Sequence, residues 1–156
     1  ITEALGVDVR MRVGTQLWLG APGSRRATAT VLDVHRVERG DAIGYWQRKS
    51  PTSGWVVIVA GGTANGIAME APTSARNLRS RAISFATGSL EALGRALSPY
   101  TIDGSKRWFA EPPHMQSSMV LLPGSATPPA IGDEVEVELR LTTANVDRID
   151  LNEVSS

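Results

Sequence analysis

Cysteine is absent from this chain of 156 residues, which excludes disulfide bonds, thiolate catalysis and metal sites with cysteine ligands. Histidine is scarce, because His35 and His114 are the only two, and a dedicated transition-metal site is therefore not expected. An excess of positive charge is also lacking, since 16 basic and 16 acidic side chains cancel. Nucleic-acid binding is driven by the counterions that basic side chains release when they neutralise phosphates. Because this chain has no net positive charge, no nucleic-acid partner is expected.

Long apolar runs are missing as well. The longest covers residues 56–60, far short of the ~20 residues that cross a bilayer, so no membrane segment is expected. Residues 1–10 show no basic segment followed by an apolar core, which predicts no signal peptide and a cytoplasmic location. The chain starts at Ile1 rather than Met, so we expect a longer parent protein. The length and composition are those of one soluble globular domain.

Alternation of apolar and polar residues with period two dominates the chain. It is most regular in residues 134–141, where all the apolar residues fall on one face, and less regular in residues 29–37. Residues 55–60 form a β-branched run between glycines, and residues 118–122 lead into a Pro-Gly turn. With a further candidate strand at residues 12–19, these segments predict an all-β domain, built as an antiparallel barrel or sandwich.

One stretch has the spacing of a helix. Ser89 is a suitable N-cap, Leu90, Leu93 and Leu97 share one helical face, and a Ser-Pro pair follows them. Residues 74–87 fit either a second helix or an exposed loop. We therefore expect a short helical element inside a mainly β domain.

Charge is distributed unevenly along the chain. Residues 1–69 carry eight basic and five acidic side chains, whereas residues 112–156 carry two and seven. This asymmetry predicts that the two segments become neighbours in the fold, and the alternative is a face that attracts a charged partner.

No tight cluster of catalytic groups is visible in the sequence. Glu134, Glu136 and Glu138 share one face of a predicted strand, and that face is expected to be in solvent. The glycine-rich residues 61–66 follow a predicted strand, but they have neither the lysine of a P-loop nor the glycine spacing of a dinucleotide-binding turn.

Five segments, taken in order, nevertheless resemble one family. Residues 9–20 (VRMRVGTQLWLG) look like the segment with which alanine racemases leave their barrel domain, and residues 37–45 (VERGDAIGY) resemble its "v-x-x-G-x-x-v-G-Y-G" segment. Residues 55–66 (WVVIVAGGTANG) are similar to the strand that leads into "G-Y-A-D-G". Residues 113–120 (PHMQSSMV) resemble "G-R-x-x-M-D-x-x-x-V", and residues 131–135 (IGDEV) resemble "x-G-D-E-V".

The resemblance implies a fold and a place in a larger protein. It covers residues 9–141 and implies a closed, Greek-key-like β-barrel, the C-terminal domain of pyridoxal-phosphate-dependent alanine racemases. We interpret residues 1–156 as one such domain, with residues 70–107 as a longer insertion and residues 142–156 as a tail. The resemblance also implies a homodimeric amino-acid isomerase that handles D-amino acids, in which this domain meets the N-terminal barrel domain of the same or the partner subunit.

Several site residues depart from the family pattern. The tyrosine that serves as one of two catalytic bases in the family corresponds to Thr63 here, and a threonine hydroxyl is far less acidic than a phenol. Met115 matches the methionine that binds the substrate carboxylate, but the aspartate after it is replaced by Gln116. Tyr45 matches a family tyrosine and is either near the entrance of the active site or packed at a strand end.

His114 is a candidate for the missing base, because imidazole exchanges protons near neutral pH, and the alternative is a solvated loop residue. Lys49 and Lys106 match no segment with the lysine that holds the cofactor. Pyridoxal 5'-phosphate is therefore expected in the full-length parent only, with no covalent link to this domain. The competing interpretation is a non-catalytic dimerisation or binding domain that keeps the racemase fold.

Overall fold

A computed structural model of the chain describes residues 14, 23–68, 96–140 and 144–151. The elements in this part of the chain are eight strands and one short 3-10 helix. The strands are β1 (Thr28–Val37), β2 (Ala42–Ile43), β3 (Arg48–Lys49), β4 (Gly54–Ala60), β5 (Leu97–Ile102), β6 (Ser105–Phe109), β7 (Ser117–Pro123) and β8 (Glu134–Val137), and the 3-10 helix is Thr63–Asn65.

Six of the strands close into a barrel. Their order around it is β1-β4-β7-β6-β5-β8, and β8 pairs with β1 to complete the ring. All six pairings are antiparallel. Strands β5, β6 and β7 form a meander, while β4 on one side and β8 on the other reach their neighbours through longer connections, which is a Greek-key arrangement. The predicted closed Greek-key barrel is thereby confirmed.

The antiparallel pairings define two ends of the barrel. We call the end at which β4 finishes and β7 begins the upper end. Because β6 and β8 run parallel to β4 and the other three barrel strands run against it, β6 also finishes at the upper end and β5 also begins there. The loops that follow β4 and β6 are therefore neighbours.

The core lies inside the barrel and extends over one outer face of β4. Inward-facing β-branched and aromatic residues fill the interior, including Val57, Val59, Tyr100, Phe109 and Val120. The outer face of β4 is covered by the hairpin of β2 and β3, whose Ile43 packs with Val56 and Ala110. Burial of β4 on both faces explains why its sequence is continuously apolar rather than alternating.

Tyr100 is the largest fully buried side chain, with 0% of its surface exposed. Its hydroxyl donates a hydrogen bond to the carbonyl oxygen of Gly61 at 2.8 Å and lies 3.2 Å from that of Ala60. Ser118 donates to the same Gly61 carbonyl at 2.8 Å. The end of β4 is therefore fixed from inside the barrel.

The strands predicted at residues 29–37, 55–60 and 118–122 are confirmed in position, whereas the strand predicted at residues 134–141 ends already at Val137, and residues 138–140 lie outside any strand. In β8, Val135 and Val137 are buried while Glu134 and Glu136 face solvent, as the alternation requires. The irregular alternation of β1 has a structural cause, because its register against β4 shifts between Val31 and Asp33. This bulge turns Leu32 outward, where its side chain is 47% exposed.

The predicted helix is wrong at its C-terminal end. Leu97 and the Ser-Pro pair after it belong to β5, so residues 97–107 of the segment interpreted as an insertion form barrel strands β5 and much of β6. Leu97 lies on the outer face of β5 and is 48% exposed, so it is not part of a buried helical face. The rest of this helix, the 74–87 segment and the 12–19 strand lie outside the described residues, apart from Gly14.

The prediction that basic and acidic segments become neighbours is confirmed. Arg26 of the basic segment pairs with Glu136 of the acidic segment at 3.1 Å on the barrel surface, and β1 pairs with β8. A second surface pair, Lys106 with Glu138 at 2.5 Å, joins the middle of the chain to the acidic segment. Glu134, Glu136 and Glu138 are exposed, as predicted. Among the described residues, no helix has the length and apolarity that crossing a bilayer requires.

The buried hydroxyl of Tyr100 makes the fold sensitive to alkaline pH. Burial raises the pKa of Tyr100 from its ordinary 10.0 to about 12. Between these values the unfolded chain gives up the phenolic proton while the folded chain keeps it, so the free energy of unfolding falls as pH rises through this interval. The loss should reach about 2–3 kcal/mol and be absent in Tyr100→Phe, as measured by urea unfolding at a series of pH values.

A spectroscopic titration provides the control. Tyr45 and Tyr100 are the only tyrosines in the chain, so in Tyr45→Phe every change in phenolate absorbance belongs to Tyr100. That absorbance should develop near pH 12 in the folded protein. Its appearance near pH 10 in protein shown to be folded by circular dichroism would contradict this account.

Candidate functional site

Two loops that are distant in sequence lie side by side at the upper end of the barrel. The backbone N–H of Gly61 donates to the carbonyl of Gln116, that of Thr63 to His114, and that of Ala64 to Met115, each at 2.9 Å. The ladder between β4 and β7 thus continues beyond the strands. The structure therefore brings together four of the five predicted site residues: Thr63, His114, Met115 and Gln116.

The two loops approach so closely that only glycine fits at position 62. A Cβ atom there would overlap the carbonyl oxygen of His114 and the backbone of Met115. The turn around Gly62 is closed by Asn65, whose side-chain oxygen accepts the Gly62 N–H at 3.2 Å and whose own N–H donates to the Gly62 carbonyl at 2.9 Å. The glycine-rich sequence after β4 is thus required by packing between loops.

Thr63 opens the 3-10 helix and is half-buried. Its hydroxyl lies 3.5 Å from the carbonyl oxygen of His114, the outer limit for a hydrogen bond. This arrangement can hold the two loops together. Among the described residues, no hydrogen bond joins this hydroxyl to a basic side chain that could deprotonate it.

The second loop changes abruptly from buried to exposed. Glu111, Pro112 and Pro113 are buried, and the three residues that follow them are exposed. Met115 is 72% exposed. Because the two prolines have no N–H, this buried segment has fewer backbone donors to satisfy.

Glu111 is a residue of the site that the sequence did not reveal as one. Its side chain is fully buried (0% exposed), and its Oε1 lies 2.5 Å from Nε2 of His114, whose side chain is 41% exposed. Glutamate is rarely buried so completely unless it is paired. A glutamate three residues before a histidine was the available signal, but the Pro-Pro between them made the segment look like an exposed loop.

The hairpin of β2 and β3 meets this pair from the outside of the barrel. The Trp46 backbone N–H donates to Oε2 of Glu111 at 3.4 Å. Gly44, at φ +62°, packs directly on the same carboxylate, where a side chain would overlap it. Tyr45 lies between them in the turn and is 85% exposed. The structure therefore places Tyr45 in a turn whose neighbouring residues, Gly44 and Trp46, contact Glu111.

The groups at this end of the barrel are a carboxylate, an imidazole, a hydroxyl and backbone carbonyls. Pyridoxal phosphate is attached to proteins through a lysine amine, but Lys49 lies on β3 and Lys106 pairs with Glu138. The described residues therefore do not fit covalent attachment of that cofactor. Within the same part of the chain, no three potential metal ligands come together.

Comparison with known proteins gives a likeness in structure only. No protein-family model matches the chain, and no curated protein matches it. Among solved structures it is similar to an alanine racemase from Bacillus anthracis, with 19% identity and a TM-score of 0.46 over 70% of this chain and 22% of that one. It is also similar to an alanine racemase from Bartonella henselae with covalently bound pyridoxal phosphate, with 17% identity and a TM-score of 0.49 over 71% of this chain and 25% of that one.

A histidine racemase from Leuconostoc mesenteroides subsp. sake is also similar, with 18% identity and a TM-score of 0.45 over 70% of this chain and 23% of that one. The chain thus spans between 22% and 25% of the length of these racemases.

Proposed function

We propose that this chain is the C-terminal β-domain of a racemase-like, pyridoxal-phosphate-dependent enzyme that acts on amino acids. In this proposal the upper end of the barrel covers a cofactor held by the N-terminal barrel domain of the partner subunit in a cytoplasmic homodimer. The observation that carries the proposal is the contact between residues 61–64 and 114–116. These segments lie in two of the motifs that resemble alanine racemases, and they meet at one place on the surface.

The exposed side chains near this contact fit a surface that another domain covers. Met115, Tyr45 and Trp46 are 72%, 85% and 51% exposed. Tyrosine, tryptophan and methionine are enriched in surfaces that a protein partner covers.

The backbone at Met115 is suited to bind a substrate carboxylate. Its carbonyl accepts the Ala64 N–H at 2.9 Å, which fixes the peptide. Its own N–H has no hydrogen-bond acceptor among the described residues. A fixed, available N–H can bind an anionic oxygen without reorganisation. Gln116 beside it offers an amide in place of the family's aspartate, so this part of the site would carry less negative charge.

Bound pyridoxal phosphate would withdraw electrons from the substrate and make its α-proton removable. The residue of this chain best suited to move that proton is His114 rather than Thr63. An imidazole accepts a proton near neutral pH, whereas the Thr63 hydroxyl faces a carbonyl and has no base beside it. The proposal therefore gives Thr63 a role in holding the two loops together.

A second candidate function is a non-catalytic dimerisation or binding domain. The replacement of the family tyrosine by Thr63 favours it, because an obvious base is lost. The buried pairing of Glu111 with His114 favours the catalytic proposal, because a loop that only contacts another domain has no need of a buried carboxylate next to an imidazole.

The full-length parent tests the proposal directly. Purified with pyridoxal phosphate, it should show the visible absorbance of the bound cofactor, turn over an amino acid, and scatter light as a homodimer. A dimer with neither cofactor absorbance nor turnover supports the second candidate, and a parent without an N-terminal barrel domain would contradict the proposed enzyme.

Two substitutions in the parent distinguish the candidate bases. His114→Ala should lower the rate of racemisation by about 10²–10⁴-fold, the usual value of general-base assistance. Thr63→Tyr, the family residue, should have the larger effect only if His114 is not the base, and it would then raise the rate. Exchange of the α-proton with solvent deuterium, followed by NMR for each enantiomer, shows which face of the substrate is affected. Rapid racemisation that neither substitution changes would mean that the base lies elsewhere.

A pair of glycine substitutions tests whether the contact between the loops matters. Gly62→Ala forces the loops apart, because its Cβ would overlap the His114 carbonyl, and overpacking of this kind costs about 1–3 kcal/mol. It should lower the turnover of the parent at least about tenfold, since small displacements of catalytic groups have effects of this size. Gly124→Ala is the matched control, because its Cβ would make only an ordinary contact, at 3.4 Å from the Ser53 carbonyl, near the opposite end of the barrel. Equal activity of the two variants would contradict this role of the contact.

A further inference from the structure

We propose that Glu111 is a positioning residue that keeps the proton of neutral His114 on Nε2 and so makes Nδ1 the atom that accepts a proton. Its catalytic meaning rests on the proposed function, whereas the geometry of the pair stands by itself. The inference adds a residue that no motif of the sequence identified and assigns the reacting atom.

The first step concerns the surroundings of the carboxylate. Glu111 is fully buried, and both of its oxygens have partners: Oε1 lies 2.5 Å from Nε2 of His114, and Oε2 accepts the Trp46 N–H at 3.4 Å. Of the described side chains, the His114 imidazole is the one basic group within ion-pair distance of it. In its ionised form, which the proposal assigns to Glu111, the carboxylate has no hydrogen of its own and can only accept hydrogen bonds from these two partners.

The second step follows the proton on the imidazole. Because the carboxylate accepts, Nε2 must carry the hydrogen, and in the neutral ring the lone pair is then on Nδ1. No hydrogen bond to Nδ1 occurs among the described residues. In the proposed reaction the Cα–H bond of the substrate breaks, its electron pair stays on the substrate, and the proton bonds to Nδ1. The imidazolium that forms is stabilised by the charge of Glu111 on its other side.

The third step explains why this carboxylate stays in place. Gly44 packs on it without a side chain, Trp46 binds it through the backbone, and the hairpin that carries both is anchored by Ile43 against Val56. The ring of His114 is thus oriented by a fixed group, a requirement for precise proton transfer. His35 and Asp33 offer a comparison within the chain: they pair at 2.9 Å, but both side chains are exposed, by 59% and 43%.

NMR of the 156-residue chain tests the geometry without any need for activity. With ¹⁵N-labelled histidine, at a pH where the imidazole is neutral, Nε2 of His114 should show the shift of a protonated nitrogen and Nδ1 that of an unprotonated one. The Nε2–H proton should exchange slowly with water, because its acceptor is buried, whereas that of His35 should exchange rapidly. His35→Gln assigns the signals, since the chain has two histidines. A His114 ring proton on Nδ1, or one that exchanges as fast as that of His35, would overturn the proposal.

Matched variants then connect the geometry to Glu111. Glu111→Gln should shift the Nε2–H resonance of His114 and accelerate its exchange, while Asp33→Asn should leave that resonance unchanged. An unchanged His114 resonance in folded Glu111→Gln would overturn the assignment. If Glu111→Gln does not fold, the spectrum of the unmodified chain still decides, because it reports the position and exchange of the proton directly.

Kinetic measurements on the full-length parent are the third test of the proposal. Glu111→Gln should lower kcat about tenfold or more with little change in KM, as loss of an orienting partner does. The double variant with His114→Gln should be no slower than His114→Gln alone, because both residues act through one proton acceptor. Additive losses would overturn the positioning role. A parent without turnover, combined with the predicted NMR spectrum, would refute the proposed function and leave the pairing of Glu111 with His114 supported.

Discussion

The pairing of β4 with β7 is the constraint on which the rest of the molecule depends. Seven residue pairs join the strands, from Gly54 opposite Pro123 to Ala60 opposite Ser117. The same ladder then continues into the loops at the upper end. A slip by one residue would turn Val57 and Val59 out of the barrel and would also misalign the two loops. Selection for a well-packed core therefore maintains the geometry of the site at the same time.

The barrel interior reaches the site through a few polar atoms. The carbonyl of Gly61 accepts hydrogen bonds from Tyr100 on β5 and Ser118 on β7, so two strands fix the residue from which the first loop departs. On the outer side, Glu111 ties the second loop to the hairpin. A rigid scaffold on both sides of short loops suits a site whose groups must stay at defined positions. The interior hydrogen bonds to Gly61 and the outer contacts of Glu111 thus both hold the loops of the site in place.

A strand or site residue of this protein could be predicted from the sequence only where the interactions that determine its structure are local. The strand β8 follows from its own alternation, because one face is buried and the other is not. The sequence did not predict β5, because Leu97 continues the helical spacing of Leu90 and Leu93. A proline is tolerated in this strand because Pro99 lies at an irregularity in the pairing with β6. Thr63 and Met115 could be matched to motifs, but the contact between the two loops that carry them could not be predicted. The burial of Glu111 depends on a hairpin 65 residues away, and no local pattern encodes that.

The hairpin of β2 and β3 has a further consequence. It leaves the barrel between β1 and β4 at the lower end, lies along the outside of β4, and presents its turn beside Glu111 at the upper end. None of its residues belongs to a barrel strand. Exposed positions in the turn, such as Tyr45, can therefore diverge between related proteins without disturbing strand register. The barrel strands hold the site in place, while the exposed residues of the hairpin turn form part of its surroundings. The turn residues can therefore change in evolution without altering the strands that support the site.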